Sequence, residues 1–238
     1  MINKKISVII PFFNEELEIK DLVIDLNNIE KKKNYYSEYL FISDASTDNS
    51  LNILKNNLDK FPKIKKKSKI IKNKKNLGWT KSLLKGIQLV KNEYFIFIPG
   101  DNEVPLSMID KSISFEYDVL ILERTNMKFR PIIRQILSYF YRYIICLTFN
   151  IKRMDLNGIF LFKTKKFQKL KLSSNSFFIS AEIILKSISL GMSYKSLKVI
   201  KLKKKNFYQS TSLNWKQFFL VLKEFIITFY DIKLKILF

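Results

Sequence analysis

The stretch YFIFIPGDNEVP, Tyr94 to Pro105, decides how this chain is read. Apolar and aromatic residues run unbroken into Pro99-Gly100, the pattern of a strand buried on both faces. Asp101 and Glu103 then flank Asn102 where the strand meets solvent. Alone, a D-x-E is more often a polar turn than a metal site. Two carboxylates two residues apart in an extended turn can nevertheless face one hard cation.

Upstream, the same design recurs. ISVII (Ile6 to Ile10) is a short β-branched run ended by Pro11, and Leu17, Leu22, Val23, Leu26 and Ile29 follow at helical spacing within Glu15 to Ile29. YLFIS (Tyr39 to Ser43) leads into DASTDNS, where Asp48 or Ser50 can cap a helix beginning near Leu51. SKIIK (Ser68 to Lys72) predicts a third strand, and a helix from Trp79 to Val90 leads to the fourth, YFIFI. Alternating strands and helices of this kind predict an α/β fold, with a mostly parallel central sheet covered on both faces. In such sheets ligands bind beyond the carboxyl ends of the strands. Phe12 to Glu15, Asp44 to Asp48 and Asp101 to Glu103 all stand at such ends, so three loops, two of them acidic, are expected to form one site.

The second half is less regular. Tyr117 to Leu122 predicts a strand, DLNGIFLF (Asp155 to Phe162) a strand entered through Gly158, Phe178 to Leu190 a helix, and Tyr194 to Leu202 an extended segment. Arg130 to Lys152 mixes aliphatic and aromatic residues with Arg134, Arg142 and Lys152, and Arg153 follows it. From Asn214 the chain is amphipathic and strongly apolar. The lysine-dense KIKKKSKIIKNKK is the one low-complexity stretch and is read as an exposed approach to a strand.

Composition narrows the chemistry. The 238 residues suit one domain, or one with an appendage. There is no histidine, so histidine triads and histidine-bound zinc are excluded, and a single cysteine, Cys146, excludes an internal disulfide. A metal site must therefore be oxygen-rich, for Mg²⁺ or Mn²⁺. The formal net charge is +22. A composition rich in Lys, Asn and Ile gives such a surplus by itself; a polyanionic partner, whether anionic lipid, phosphorylated substrate or nucleic acid, is the other account. Aromatic residues are missing from Lys63 to Lys75, which argues against nucleic acid. The N-terminal apolar run is short and lacks a cleavage site, and no uncharged apolar stretch is long enough to span a bilayer. The expectation is a cytoplasmic protein, peripheral at the inner face of the cytoplasmic membrane.

SVIIPFFNEE, ISDASTDNS, NLGWTKSLLKG and FIPGDNEVP, in this order and spacing, resemble the nucleotide-sugar-binding half of family-2 glycosyltransferases with the GT-A fold. The dolichyl-phosphate mannose synthase-like branch is the nearest in appearance. The resemblance covers residues 5 to 105 well and continues loosely to about residue 200. It implies a Rossmann-like three-layer sandwich over residues 1–210, with a nucleotide-sugar half (1–105) and an acceptor-side half (106–210). An amphipathic, interfacial C-terminal helix (211–238) would follow.

The resemblance also implies roles. Pro11, Asn14 and Glu15 would lie against the nucleotide of a UDP- or GDP-sugar. Asp44, Ser46 and Asp48 would hold base and ribose, although Ser43 stands where a first acid is usual and Ala45 where Gly is usual. Asn76 and Gly78 would approach ribose or phosphate. Asp101 and Glu103 match the DxD motif, with Glu for the second Asp, and would hold Mg²⁺ or Mn²⁺ against the diphosphate. Asp155, Asn157 and Gly158 would face the acceptor. Glu182 matches a family Glu while Ser180 replaces its Asp partner, so Glu182 is either a catalytic base or a structural carboxylate paired with a lysine. The phosphate-binding R..G.S element is degenerate, with Lys205 and either Ser210 or Ser212 as counterparts. The implied activity is inverting, metal-dependent hexosyl transfer to a polyprenyl phosphate or another lipid-linked acceptor. Transfer to a sugar hydroxyl of surface polysaccharide or lipooligosaccharide is the alternative, and a non-catalytic basic lipid- or nucleic-acid-binding protein is the rival of another class. The apolar helices could equally serve a homo-oligomer interface.

Overall fold

The computed structural model describes residues 4–125, 132–152, 154–200 and 215–234. Seven strands form one sheet in the order β3-β2-β1-β4-β6-β5-β7. The first four are β1 (Ile6–Phe12), β2 (Tyr36–Ser43), β3 (Ser68–Lys72) and β4 (Tyr94–Phe97). They pair in parallel: β1 with β2 and β4, and β2 with β3. Then follow β5 (Val119–Thr125), β6 (Ile159–Lys163) and β7 (Tyr194–Ile200). β6 runs antiparallel to both β4 and β5, and β5 pairs in parallel with β7.

Strand order reverses about β1, which has β2 on one side and β4 on the other. Right-handed crossovers therefore place α1 (Ile19–Glu30), α2 (Ser50–Asp59) and α3 (Pro62–Lys67) on one face and α4 (Trp79–Gln88) on the other. Gly86 lets α4 lie close, because a Cβ there would sit 2.3 Å from Ile9 Cγ2. α5 (Leu106–Asp110) packs beside α1. The remaining helices are α6 (Ile132–Thr148), α7 (Thr164–Phe167), α8 (Ile179–Ser189) and α9 (Trp215–Lys233). The core is the sheet itself: every residue of β1 and β4 is buried.

Three boundaries differ from expectation, each for a physical reason. β1 runs through Pro11 to Phe12. Residues 9 and 11 face β4, where Ile98 and Gly100 donate their N–H groups to the Ile9 and Pro11 carbonyls. The β1–β4 ladder has its last pair at Ile9 and Phe97, just before the proline that lacks an N–H, while pairing with β2 continues through Pro11 to Phe12. α1 begins at Ile19 rather than Glu15, where the Glu15 and Glu16 N–H groups are held by Ser50 and Asp48. The lysine-dense run begins as helix α3, and Lys67 ends it by pairing with the Glu30 carboxylate and donating to the Tyr36 carbonyl at 2.9 Å.

Candidate active site

The parallel strands bring Phe12–Asn14, Ser43–Asp48, Asn73–Gly78 and Pro99–Glu103 to one edge of the sheet. Because β6 is reversed, its entry loop Asp155–Gly158 reaches that edge too. Five loops thus surround the switch point beside β1, where open α/β sheets bind ligands.

The first two loops are laced together. Asn14, at φ +53°, donates its backbone N–H to Ser46 Oγ at 3.2 Å, and Thr47 N–H donates to Asn14 Oδ1 at 2.9 Å. Glu15 N–H donates to Ser50 Oγ at 2.7 Å, and Glu16 N–H to Asp48 Oδ2 at 3.2 Å. Asp48 Oδ1 accepts from Ser50 N–H and hydroxyl at 3.0 and 2.5 Å. Asp48 and Ser46 therefore fix the shape of the loop that carries Asn14 and Glu15.

Asp44 is buried and organises the third loop. Its Oδ1 accepts from Asn73 Nδ2 at 2.8 Å and Leu77 N–H at 2.9 Å, while Oδ2 accepts from Gly78 N–H at 2.8 Å. A carboxylate offers about four acceptor positions, so about one remains on Oδ2 for a ligand. Gly78 N–H also reaches Asn76 Oδ1 at 3.0 Å. Gly78 itself, at φ +83° and ψ 161°, occupies a region open to glycine alone, and it opens helix α4.

The acid turn is the fourth wall. Gly100 donates to the Pro11 carbonyl at 3.1 Å, and a Cβ on it would lie 2.4 Å from Phe12 Cβ. Glycine is what lets this turn approach β1. Glu103 N–H donates to Asp101 Oδ1 at 3.1 Å across Asn102, which has φ +50°. Asp101, Asn102 and Glu103 are all half-buried, and the Asn102 Oδ1 atom is fully buried without a hydrogen-bond partner. No group of three or more Asp, Glu, Cys or His suited to a metal occurs among the described residues.

In the loop that enters β6, buried Asp155 meets Arg124 Nε at 3.1 Å and accepts the Asn157 N–H at 3.1 Å. Burial alone would raise its carboxyl; the Arg124 charge and hydrogen bond, with the Asn157 and Arg124 backbone N–H groups, outweigh it and hold the carboxyl below its ordinary 3.8. Gly158 is forced, since a Cβ would sit 2.6 Å from the Leu122 carbonyl.

Glu182 lies away from solvent. Its side chain is 0% exposed, pairs with Lys186 at 2.8 Å, and accepts from Ser173 N–H and hydroxyl and from Ser174 N–H at 2.9–3.0 Å. Burial raises its carboxyl, but these donors and the lysine outweigh it and hold it below the ordinary 4.5. Of the two roles open for Glu182, the geometry is that of a structural carboxylate paired with a lysine. Lys205, Ser210 and Ser212 lie outside the described residues.

Several contributors escape a reading by motif: Arg124, Gly100, Thr80, Ser176 and Glu224. Thr80, in the first turn of α4, donates to the Ser176 carbonyl at 2.7 Å, and Ser176 in turn donates to Glu224 on α9. Only Gly100 carried a signal, as a glycine just ahead of paired acids.

The sequence and the fold are shared with known proteins. The chain matches Glycosyl transferase family 2 over residues 7–170. It belongs to that family. A cholesterol galactosyltransferase of Borreliella burgdorferi is 30% identical over 152 residues, covering 64% of this chain and 36% of that protein. YkcC of Bacillus subtilis, an uncharacterized glycosyltransferase, is 30% identical over 149 residues, 60% of this chain and 44% of its own. The chain thus spans less than half the length of these relatives. Among solved structures, glucosyl-3-phosphoglycerate synthase of Mycobacterium tuberculosis, crystallised with Mn²⁺, uridine diphosphate and phosphoglyceric acid, superposes with a TM-score of 0.69. It covers 96% of this chain and 78% of its own at 12% identity, a likeness of fold. The family-2 chain has the GT-A fold.

Proposed function

We propose that this family-2 glycosyltransferase is an inverting, metal-dependent hexosyltransferase that uses a UDP- or GDP-sugar and glycosylates a polyprenyl phosphate or another lipid-linked acceptor at a membrane surface. The observation that carries the donor half is the convergence of the Asp44–Gly78 network and the Asp101–Glu103 turn on the β1 switch point. Asp44, Asp48, Asn76 and the Pro11–Glu15 loop would take the nucleoside. Asp101 and Glu103, with the orphaned Asn102 oxygen between them, present hard donors. Such a set fits Mg²⁺ or Mn²⁺, which retains waters and draws its other ligands from substrate phosphates rather than from an all-protein cage. When bound, the ion neutralises charge on the departing nucleoside diphosphate.

A phosphate acceptor is supported by the state of the acceptor-side acids. A sugar hydroxyl needs a base to take its proton, whereas a phosphate is already ionised. Glu182 is buried on Lys186, Asp155 is paired with Arg124, and Ser180 holds no charge.

A lipid surface is supported by α6 and α9. No helix among the described residues is long and apolar enough to cross a membrane. Yet α6 exposes Ile136, Phe140, Ile144 and Leu147, the last at 70%, and α9 exposes Trp215, Phe218, Phe219, Leu222, Ile226 and Tyr230. Phe149, just beyond α6, stacks edge-on against Phe225 and Phe229 of α9, so α9 packs on the segment that follows α6. Lys216, Lys223 and Lys233 punctuate α9. Apolar helical faces set among lysines are the form of an interfacial helix on anionic lipid.

The test is a thermal-shift and turnover screen of UDP-, GDP- and dTDP-sugars with and without Mn²⁺. A ligand at 100 times its Kd stabilises by about 2.7 kcal/mol, so one donor should raise Tm by about 5–11 °C, and do so only with metal. Asp101→Ala should abolish turnover and the metal-dependent shift while leaving the ligand-free Tm in place. Intact turnover in Asp101→Ala, or a wild type indifferent to every nucleotide sugar, would overturn the donor assignment.

A further inference from the structure

Helix α9 turns a polar stripe inward. Its buried residues, Glu224 and Thr228, are polar, and Asp231 continues the same face at i, i+4 and i+7, while Trp215, Phe218, Phe219 and Tyr230 are exposed and Phe225 and Phe229 pack against Phe149. What the polar face holds is the loop before α8. Glu224 Oε1 accepts the Asn175 and Ser176 N–H groups at 2.7 and 3.1 Å, and Oε2 accepts the Ser176 hydroxyl at 2.5 Å. Two turns on, Asp231 takes Lys186 at 2.7 Å, and Lys186 also holds Glu182 and the Lys171 carbonyl. Residues 171–176 are therefore clamped between the acids of α8 and α9. The clamp continues toward the donor side: the Ser176 carbonyl accepts from Thr80, two residues after Gly78, whose N–H rests on Asp44.

We propose that Glu224 is the positioning residue of this acceptor-side loop, and that contact of the outer face of α9 with anionic lipid sets how firmly the loop is held. The inference rests on the membrane-facing reading above and adds a consequence to it. The occupant is argued from charge. A second copy of a chain carrying +22 brings repulsion to a lysine-studded face, whereas anionic lipid neutralises it. The sign follows from orientation. The acids of α9 face the body and are repelled by anionic headgroups, so lipid favours the docked helix as it stands. The outer aromatics, Trp215 among them at 77% exposure, meet lipid from the docked and the released helix alike, but a released helix also brings Glu224 and Asp231 to the headgroups. Anionic lipid therefore binds the docked form more tightly, and the segment moves from the readily opening end of the stability range toward the firmly held end.

Hydrogen–deuterium exchange of the full chain measures this directly, with vesicles of phosphatidylglycerol and phosphatidylcholine in equal parts and of phosphatidylcholine alone. The anionic vesicles should slow exchange across residues 173–178 by about tenfold, and less strongly across 76–80. The neutral vesicles should not. Glu224→Ala should still sediment with anionic vesicles but lose the slowing at 173–178, and Glu224→Gln, which retains one acceptor oxygen, should restore part of it. The double variant Phe218→Ser, Phe219→Ser keeps the clamp; it should match wild type without vesicles and show neither binding nor slowing with them. Protection of β1 and β4 reports that each variant is folded. Vesicle binding with unchanged exchange at 173–178 would overturn the coupling alone. Failure of the wild type to bind anionic vesicles, or self-association in their place, would overturn the lipid-facing reading together with it.

Discussion

Replacing Glu182 by alanine separates a structural carboxylate from a catalytic base. In the folded chain Glu182 and Lys186 are 0% and 1% exposed at 2.8 Å, and Glu182 accepts three further hydrogen bonds from Ser173 and Ser174. Removing one member of a buried pair costs about 3–5 kcal/mol, because the other charge stays buried. Here Lys186 retains Asp231 and the Lys171 carbonyl, so the lower figure, about 3 kcal/mol, applies. In a chain of this size each kcal/mol moves the midpoint by about 2–4 °C, giving a fall of about 6–12 °C. Scanning calorimetry of wild type and Glu182→Ala reads it. A double variant, Glu182→Leu with Lys186→Met, removes both charges and should recover much of the loss, since apolar replacements of buried pairs are often neutral. A catalytic base would give the opposite pattern. If Glu182→Ala melts within about 2 °C of wild type while turnover falls by about a hundredfold or more, the structural assignment is wrong.

Acid stability follows from the same carboxylates. Asp155 and Glu182 lie below their ordinary 3.8 and 4.5 in the folded state, so their contribution is complete above those values and is lost as pH falls through the lowered folded ones. Melting temperature should decline with acidification in that window, and Arg124→Met should lower Tm at neutral pH yet converge with wild type as Asp155 protonates; parallel curves would count against the Arg124 assignment. Gly100→Ala places a Cβ 2.4 Å from Phe12 Cβ and should cost about 1–3 kcal/mol by overpacking. Since Gly100 ties the acid turn to β1, the same variant should need more Mn²⁺ for half-maximal turnover; a normal metal requirement would show that this approach does not shape the site.

The strands and their edge were legible because their signal is local. β4 is an unbroken apolar run and β2 carries one over Tyr39–Ile42, and a loop after each parallel strand must fall on the carboxyl edge whatever the loop contains. The direction of β6 was not legible. IFLFK reads alike parallel or antiparallel, and only its pairing with Phe95, Ile96 and Leu120 turns it over. That reversal is what carries Asp155 and Gly158 to the site at the strand's beginning, when every other wall stands at a strand's end. Asp44 shows a different limit. Its type and position marked it as a ligand group, but three of its acceptor positions are committed to residues 73, 77 and 78, a fact of loop closure that spacing along the chain does not record.

Glu224 was hidden for a stronger reason. An acid in an apolar tail is ordinarily assigned to the wet side of an amphipathic helix, because burying an unpaired charge costs several kcal/mol. The assignment fails when a loop of bare N–H groups lies underneath. The Asn175 and Ser176 amides precede α8 and lack partners of their own, so they and the Ser176 hydroxyl supply the donors that a buried carboxylate requires. A trace was present in the spacing of Glu224, Thr228 and Asp231, a polar stripe at i, i+4 and i+7 with aromatics opposite. The stripe fixes which side of α9 is single-faced; which side is inward depends on the partner. Here the body supplies donors to the polar side, and the apolar side is left for a surface that water does not provide.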